Sequence, residues 1–290
     1  MKVDPTVAAL VLFAALLHAS WNAIVKSDRD RLMSFGLVMM AGSLIAVPVL
    51  PVVAMPGAAA WPYLIASVVV HNFYYFFLLR AYAHGDLSHV YPIARGLGPL
   101  LVAVLSGRLA GEYLSFAESA GVTLLSIGIA SLAFGHGLPR NSAEWKPVLY
   151  ALGTGVCIAG YTLVDGLGVR ASGDAIGYIA WLNLLEGPWV LGAALWWRGR
   201  ERVVPYLRAY WWRGTAGGII ATLGYGIAIW AMSVGALAHV AALRETSVLF
   251  AAVMGTALLG EGFGRRRIAA AVLVVAGLLL MNLPLFRGSV

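Results

Sequence analysis

Long runs of apolar residues alternate along the chain with short segments rich in charge, proline or glycine. A membrane-spanning helix needs about 20 consecutive, mostly apolar residues. The runs that meet this length are residues 5–25, 33–53, 62–83, 89–108, 114–134, 147–165, 175–197, 212–233, 238–259 and 267–285. The pattern therefore predicts an all-α integral membrane protein with ten transmembrane helices, and it leaves no stretch for a soluble domain.

One helical segment of the chain occurs twice. Residues 85–112, GDLSHVYPIARGLGPLLVAVLSGRLAGE, return one residue shorter at 235–261 as GALAHVAALRETSVLFAAVMGTALLGE. The copies share their first Gly, Leu, His and Val and their closing Gly-Glu, and Arg95 in the first matches Arg244 in the second. This internal repeat predicts that the chain consists of two related halves.

The polar segment 136–147 separates the two halves, which we place at residues 1–138 and 139–290. Each half holds five predicted spans. Because five is odd, the second half is expected to cross the membrane in the opposite direction to the first. We therefore predict two inverted five-helix repeats, related by a pseudo-twofold axis in the membrane plane. Since one chain supplies both repeats, a functional monomer is expected.

The composition supports a multi-pass protein of the cell membrane, with the lipid bilayer as its partner. The chain is 61% hydrophobic and 11% charged, against roughly 25% charged residues in soluble domains. The net charge of +7 comes mainly from residues between the apolar runs, so it signals topology and predicts no nucleic-acid partner. The rule that basic loops stay in the cytoplasm then places both termini outside it.

The sequence predicts no cofactor, no metal and no enzymatic activity. Its single cysteine, Cys157, excludes an internal disulfide, and its histidines lack metal-ligand spacing. The phosphate-binding motif GxxxxGK[ST] is absent, as are the HExxH and GxSxG motifs of zinc and serine hydrolases. ATP hydrolysis and the commonest hydrolytic designs are therefore not expected.

Arg95 and Arg244 are the first candidates for a functional site. A guanidinium inside an apolar span is costly and must face a cavity, an acid or backbone carbonyls. Its planar fork suits recognition of a carboxylate or phosphonate. The alternative is a structural tie to a loop or to Glu245. Pro92 and Pro99 flank Arg95 and are expected to break its helix near the site.

Acidic and aromatic residues inside the spans are further candidates for the substrate pathway. Glu186 and Glu245 predict a proton-coupling site or a contact to a substrate ammonium, and the alternative for each is an ion pair. Glu112 and Glu261 end the repeated segments and are interpreted as structural groups at helix ends. The polar or aromatic residues expected to line the pathway are His18, Trp21, Asn22, His71, Tyr74, Tyr75, Trp181 and Tyr225.

The phrases HASWNAIVK at 18–26 and VYPIARGLGPLL at 90–101, with the Gly-Glu that closes both repeated segments, carry a family resemblance. The chain resembles an EamA-type transporter of the drug/metabolite transporter superfamily. The resemblance covers nearly the whole chain. It implies ten helices around a central cavity and movement of a small metabolite by alternating access.

Our leading hypothesis is a secondary transporter of a small polar metabolite, with an amino-acid-like anion or zwitterion favoured by the two arginines. A coupled proton is one option for its driving force. Three alternatives stay open. The first is an exporter of lipophilic cations that uses a membrane carboxylate, the second an intramembrane lipid-modifying enzyme, and the third a membrane scaffold that transports nothing.

Overall fold

The computed structural model describes residues 4–85, 87–133, 141–259 and 264–282. Within these ranges the chain is helical and contains no strand. The helices are α1 (Pro5–Lys26), α2 (Arg31–Ala46), α3 (Trp61–His84), α4 (Leu87–Ala110), α5 (Phe116–Ser131), α6 (Ser142–Ser172), α7 (Ala175–Arg198), α8 (Arg200–Val234), α9 (Leu237–Arg244), α10 (Ser247–Leu259) and α11 (Arg265–Asn282). Two short 3₁₀ turns, Leu50–Val52 and Ala58–Ala60, lie between α2 and α3.

In the described part of the chain each predicted span overlaps a helix, and the ninth is divided between α9 and α10. In the described part of the chain, seven segments are long and apolar enough to cross a membrane. They are Pro5–Val25, Arg31–Val52, Ala58–His84, His89–Ala110, Ser142–Ser172, Arg200–Val234 and Leu237–Met254. The all-α membrane class is therefore confirmed. The helix α5 is apolar but has only 16 residues.

Side-chain caps fix where several helices begin. Asp30 accepts hydrogen bonds from the backbone N–H groups of Leu32 and Met33 at the start of α2. Ser115 and Glu118 form a reciprocal capping box at the start of α5. Asp174 caps α7 by accepting from the N–H of Ile176. These caps satisfy backbone donors that have no partner inside the helix.

The polar segment 198–208 lies between the seventh and eighth predicted spans and is almost entirely helical. The helix α7 ends at Arg198, Gly199 turns the chain with φ of +79°, and α8 begins at Arg200. Glycine adopts this left-handed conformation without the steric cost that a side chain brings. The charged residues that follow it are good helix formers, so polarity here marks an exposed helical turn.

The chain divides into two compact units that do not follow the sequence halves. The first unit comprises Met1–Ala8, Phe73–Leu163 and Gly235–Val290, and the second comprises Ala9–Asn72 and Val164–Val234. Each unit therefore combines helices from both halves of the chain. In the first unit α5 packs on α11 and α4, and in the second α2 packs on α7 and α8.

The core of the first unit forms where α5 meets α11. The two backbones approach closely at glycines, because a methyl group at Gly121 would lie 2.6 Å from the carbonyl oxygen of Gly277. Buried side chains fill the space beside this contact. They include Val122, Leu125, Ile129, Val274 and Met281. Small residues at such a crossing allow the extensive packing on which membrane helices depend.

Glu112 ties the end of α4 to the start of α9 within the first unit. Its carboxylate Oε2 accepts a hydrogen bond of 2.7 Å from the backbone N–H of Leu237. The predicted structural role at a helix end fits this contact, although the helix it serves is α9 and not the next helix, α5. The repeat-related Glu261 lies outside the described residues.

The second unit has an equally close crossing between α2 and α7. A methyl group at Gly187 would lie 2.6 Å from the carbonyl oxygen of Met39. The Ser43 hydroxyl stabilises the crossing, since it donates to the Asn183 carbonyl at 2.5 Å and accepts from the Gly187 N–H at 3.1 Å. This crossing therefore requires a residue without a side chain at position 187.

Substitution Gly187→Ala is expected to lower the free energy of unfolding by about 1–3 kcal/mol, the usual cost of overpacking. The matched control is Gly192→Ala on the same helix, where a methyl group would meet no atom within 4 Å. That control is expected to be neutral or stabilising by at most about 1 kcal/mol. Denaturant unfolding in detergent measures both, and equal effects would contradict the close crossing.

Candidate functional site

The ninth predicted span is interrupted between α9 and α10. The interruption consists of two residues, Glu245 and Thr246. Tight turns replace the regular helical bonds here, because the N–H of Glu245 donates to Ala242 and that of Thr246 donates to Leu243. Such a break exposes backbone groups that must find partners elsewhere in a membrane.

The sequence predicted a helix break at Pro92 or Pro99, and this prediction was wrong. The helix α4 runs unbroken from Leu87 to Ala110 with both prolines inside it. Proline is tolerated in membrane helices when neighbouring groups satisfy the freed carbonyls. The interruption lies instead in the repeat-related segment, at Glu245 directly after Arg244.

Arg95 of α4 holds this interruption together. Its Nε lies 2.8 Å from Oε2 of Glu245, and both side chains are 3% exposed. Its Nη2 donates to the Ser247 hydroxyl at 2.7 Å and to the Arg244 carbonyl at 3.3 Å. The guanidinium therefore binds one carboxylate and two groups of the broken helix, and the ion pair considered for Glu245 is present.

Aromatic residues surround the two arginines. The Arg95 guanidinium carbon lies 5.9 Å from the centre of the Tyr91 ring, within the range of a cation–π contact. Arg244 is hydrogen-bonded to the Tyr161 hydroxyl. We refer to Tyr91, Arg95, Tyr161, Arg244, Glu245 and Ser247 as the arginine cluster.

Two of the tyrosines predicted to line the pathway extend this aromatic surface. The Tyr74 ring lies 5.7 Å from that of Tyr161 and 5.2 Å from that of Tyr75, both in edge-on geometry. Tyr74 is buried and Tyr75 is partly buried. The arginine cluster thus lies beside a continuous aromatic face within the first unit.

The arginine cluster combines two guanidinium groups with one carboxylate. Arg95, Arg244 and Glu245 are 3%, 6% and 3% exposed, and charges at such burial interact strongly because water does not screen them. With both arginines and the glutamate ionised, the cluster carries one excess positive charge. This arrangement is suited to a small ligand with a carboxylate or phosphonate group.

A second group of buried polar residues lies in the other unit. Nδ1 of His71 on α3 lies 2.9 Å from Oε1 of Glu186 on α7. The same nitrogen lies 3.1 Å from the Ser67 hydroxyl and 3.0 Å from the Ser67 carbonyl. The Tyr225 ring packs edge-on against His71, with 5.6 Å between ring centres. Three predicted pathway residues, His71, Glu186 and Tyr225, are therefore brought together.

Asp165 completes this second group, and sequence reasoning missed it. Its Oδ1 accepts a hydrogen bond of 3.0 Å from the Tyr178 hydroxyl, and its Oδ2 accepts one from the Tyr225 hydroxyl. The predicted sixth span ended at residue 165, whereas α6 continues to Ser172 and buries Asp165 completely. The available signal was an acid inside the apolar run VCIAGYTLVDGLGV.

We call this second group the acid–histidine cluster. Its members are Ser67, His71, Asp165, Tyr178, Glu186 and Tyr225.

The remaining predicted pathway residues make other contacts in the second unit. The His18 and Trp21 rings pack edge-on with 5.3 Å between centres. The Asn22 side chain donates to the His18 carbonyl at 2.8 Å, and Trp181 packs on Trp61 at 5.2 Å. These contacts are of the kind that packs membrane helices, so they give no support to a ligand role.

The described side chains also bear on metal binding. Across the described ranges, no group of three or more His, Cys, Asp or Glu side chains is placed to hold a metal ion. The lone Cys157 is a buried free thiol in α6. The groups present in the two clusters are suited to ionic recognition, hydrogen bonding and proton transfer.

The fold and its buried charges define a helical membrane protein with several spans. The model of the EamA-like transporter family matches residues 145–283. This match covers the second half of the chain and confirms the resemblance to the drug/metabolite transporter superfamily seen in the sequence.

Other comparisons bear on the fold alone. One solved crystal structure is similar to this chain, with a TM-score of 0.78 and 17% sequence identity. The match covers 96% of this chain and 98% of the other chain. At this identity the likeness shows the fold and carries no information on substrate. No curated protein sequence matches the chain.

Proposed function

We propose that this protein is a secondary transporter that moves a small anionic or zwitterionic metabolite, resembling an amino acid, across the cell membrane. The arginine cluster is the observation that carries the proposal, because it buries two guanidinium groups against one carboxylate. A ligand carboxylate or phosphonate would offset the excess positive charge and accept bidentate hydrogen bonds. We propose that one chain is the working unit, with the substrate and the bilayer as its partners.

Alternating access is part of the proposal, and the interrupted span supports it. Transporters of this kind often place substrate sites at discontinuous helices, whose ends offer backbone groups and partial charges to the ligand. Here Arg95 supports the interruption between α9 and α10 through the Glu245 carboxylate, the Arg244 carbonyl and the Ser247 hydroxyl. A ligand that competes for Arg95 would therefore alter the contacts that fix the break.

The inverted-repeat arrangement also belongs to the proposal, and paired contacts in the first unit support it. The repeat matches Gly128 with Gly277, a spacing of 149 residues that also relates Gly121 to Ala270. A methyl group at Gly121 would meet the carbonyl of Gly277, and one at Gly128 would meet the carbonyl of Ala270. Such reciprocal contacts are typical of a twofold axis. Gly128, the later of the two glycines in α5, meets Ala270, the earlier of the two residues in α11. The two helices therefore run antiparallel, as an inverted repeat requires.

The second unit repeats this reciprocal pattern between α2 and α7. A spacing of 151 residues relates Gly36 to Gly187 and Met39 to Val190. A methyl group at Gly36 would lie 3.5 Å from the Val190 carbonyl, and one at Gly187 would lie 2.6 Å from the Met39 carbonyl. The two helices again run antiparallel, which supports the same inverted relation in an independent set of contacts.

A ligand screen with a matched pair of arginine variants tests the proposed function. Purified protein in detergent is heated with amino acids, aminophosphonates, nucleosides, sugars or lipophilic cations. A ligand at 100 times its dissociation constant adds about 2.7 kcal/mol of stability. We expect carboxylates or phosphonates to raise the melting temperature. We also expect Arg244→Lys, which keeps the charge but loses the guanidinium fork, to abolish the response.

The control is Arg198→Lys at the partly exposed end of α7, where the ligand response should persist. Hits are then reconstituted in liposomes, where uptake of the labelled compound into a closed interior without chemical change distinguishes a carrier from an enzyme or a scaffold. If lipophilic cations alone stabilise the protein, the arginine cluster is structural. The acid–histidine cluster would then favour a cation exporter.

A further inference from the structure

The acid–histidine cluster is a connected set of buried polar contacts. Glu186 contacts His71, and His71 contacts Ser67. The Tyr225 ring packs on His71, and its hydroxyl donates to Asp165. The phenolic hydroxyls of Tyr178 and Tyr225 complete the shell of Asp165. The helices α3, α6, α7 and α8 each contribute to it. Ionisable groups that interact closely share their protons and are best treated together.

The acceptors around His71 indicate where its proton lies. Nδ1 lies close to two oxygens that carry no proton of their own when Glu186 is ionised, Oε1 of Glu186 at 2.9 Å and the Ser67 carbonyl at 3.0 Å. A protonated Nδ1 can donate to either oxygen, whereas an unprotonated Nδ1 would face both lone pairs without a donor. The Nδ1–H group therefore points between Glu186 and the backbone of α3.

The two carboxylates of the network have different surroundings. Both oxygens of Asp165 accept phenolic hydrogen bonds. Glu186 faces an imidazole, itself a titrating group, and its side chain is 10% exposed. Glu186 is therefore the carboxylate at which we place the proton exchange, with His71 beside it.

We propose that the acid–histidine cluster takes up and releases one proton during the transport cycle, an inference that rests on the proposed function. With His71 protonated and both acids ionised, the cluster carries one negative charge. Addition of a proton from water to the Glu186 carboxylate forms an O–H bond and makes the cluster neutral. Loss of that proton to water restores the charge. Charge neutralisation favours uptake because a net charge is costly in a membrane.

Infrared spectroscopy tests the proton site without any knowledge of the substrate. Difference spectra of the purified protein between acidic and alkaline pH are recorded for the wild type, for Glu186→Gln and for Glu201→Gln. Glu201 is an exposed acid on α8 and serves as the matched control. We expect a protonated-carboxyl band typical of a group shielded from water, which Glu186→Gln loses and Glu201→Gln retains. Identical bands in all three proteins would overturn the inference.

A second variant keeps the test decisive if Glu186→Gln does not fold. His71→Gln leaves the carboxyl group in place but removes the imidazole that faces it, so the same band should shift its midpoint to a different pH. Size-exclusion chromatography and thermal melting establish that each variant is folded. An unchanged titration midpoint in folded His71→Gln would contradict the shared site.

Transport assays separate the failure of coupling from the failure of transport. Liposomes containing the protein receive the labelled amino acid or aminophosphonate that stabilises it most, with and without an imposed pH gradient. We expect the wild type to accumulate the compound when a pH gradient is imposed. Glu186→Gln should lose this accumulation but retain exchange at equal pH. If transport requires Arg244 but does not depend on the pH gradient, proton coupling alone is overturned. No transport of any stabilising compound would overturn the proposed function, while the infrared band still decides the proton site.

Discussion

Replacing Arg95 with methionine is expected to lower the free energy of unfolding by about 3–5 kcal/mol, the usual cost of breaking a buried ion pair on one side. The substitution removes the ion-pair partner of Glu245 and the donors to the Arg244 carbonyl and the Ser247 hydroxyl. Denaturant unfolding in detergent, followed by circular dichroism, measures the loss. The doubly substituted Arg95→Met/Glu245→Met should recover part of it, since no buried carboxylate is left behind.

The control for this prediction is Arg198→Met. Arg198 and Asp30 also form an ion pair, at 2.5 Å, but their side chains are 39% and 22% exposed. Pairs open to water contribute about 1 kcal/mol or less, so this variant should be only slightly destabilised. If the two arginine variants lose equal stability, burial does not set the cost. If Arg95→Met is as stable as the wild type, the interruption between α9 and α10 is held by other contacts.

The fold class could be predicted from the sequence because a membrane imposes a length and a polarity on each helix. Each of the ten predicted spans overlaps a helix in the described part of the chain. The polar segment 198–208 between two of these spans is helical as well. Polarity indicates exposure to water and not the absence of a helix, so the extension of α8 back to Arg200 was not predictable from it. The division into two units depends on contacts between distant segments, which no local pattern contains.

The candidate site was predicted in part. Arg95, Arg244 and Glu245 could be identified because a charge inside an apolar run is rare and costly. The break at Glu245 could not be predicted, because proline is the usual sequence signal for a broken helix and the break has no proline beside it. The helix α4, in contrast, contains two prolines and is unbroken. A break formed by side-chain hydrogen bonds appears only when Arg95 and Ser247 are seen together. Asp165 was missed because the predicted span ended at that residue, which made a buried acid resemble an exposed one.

Substitution Asp165→Ala is the second large effect that we expect, with a loss of about 3 kcal/mol or more in the free energy of unfolding, because each buried donor left unsatisfied costs about 1–3 kcal/mol. The hydroxyl groups of Tyr178 and Tyr225 both lose their acceptor at once. Relief of the repulsion between Asp165 and Glu186 offsets a part of this cost. Denaturant unfolding of the variant in detergent measures the net effect.

Matched variants separate the loss of one hydrogen bond from the loss of the shared acceptor. Tyr178→Phe and Tyr225→Phe each remove a single hydroxyl, and hydrogen bonds to a charged group contribute about 1.5–3 kcal/mol. If Asp165 organises the network, Asp165→Ala must cost more than either tyrosine variant. It must also change the pH dependence of the Glu186 carboxyl band, which a merely structural role would leave unaltered. If Asp165→Ala is no less stable than Tyr225→Phe, the hydroxyls find other acceptors and Asp165 does not organise the cluster.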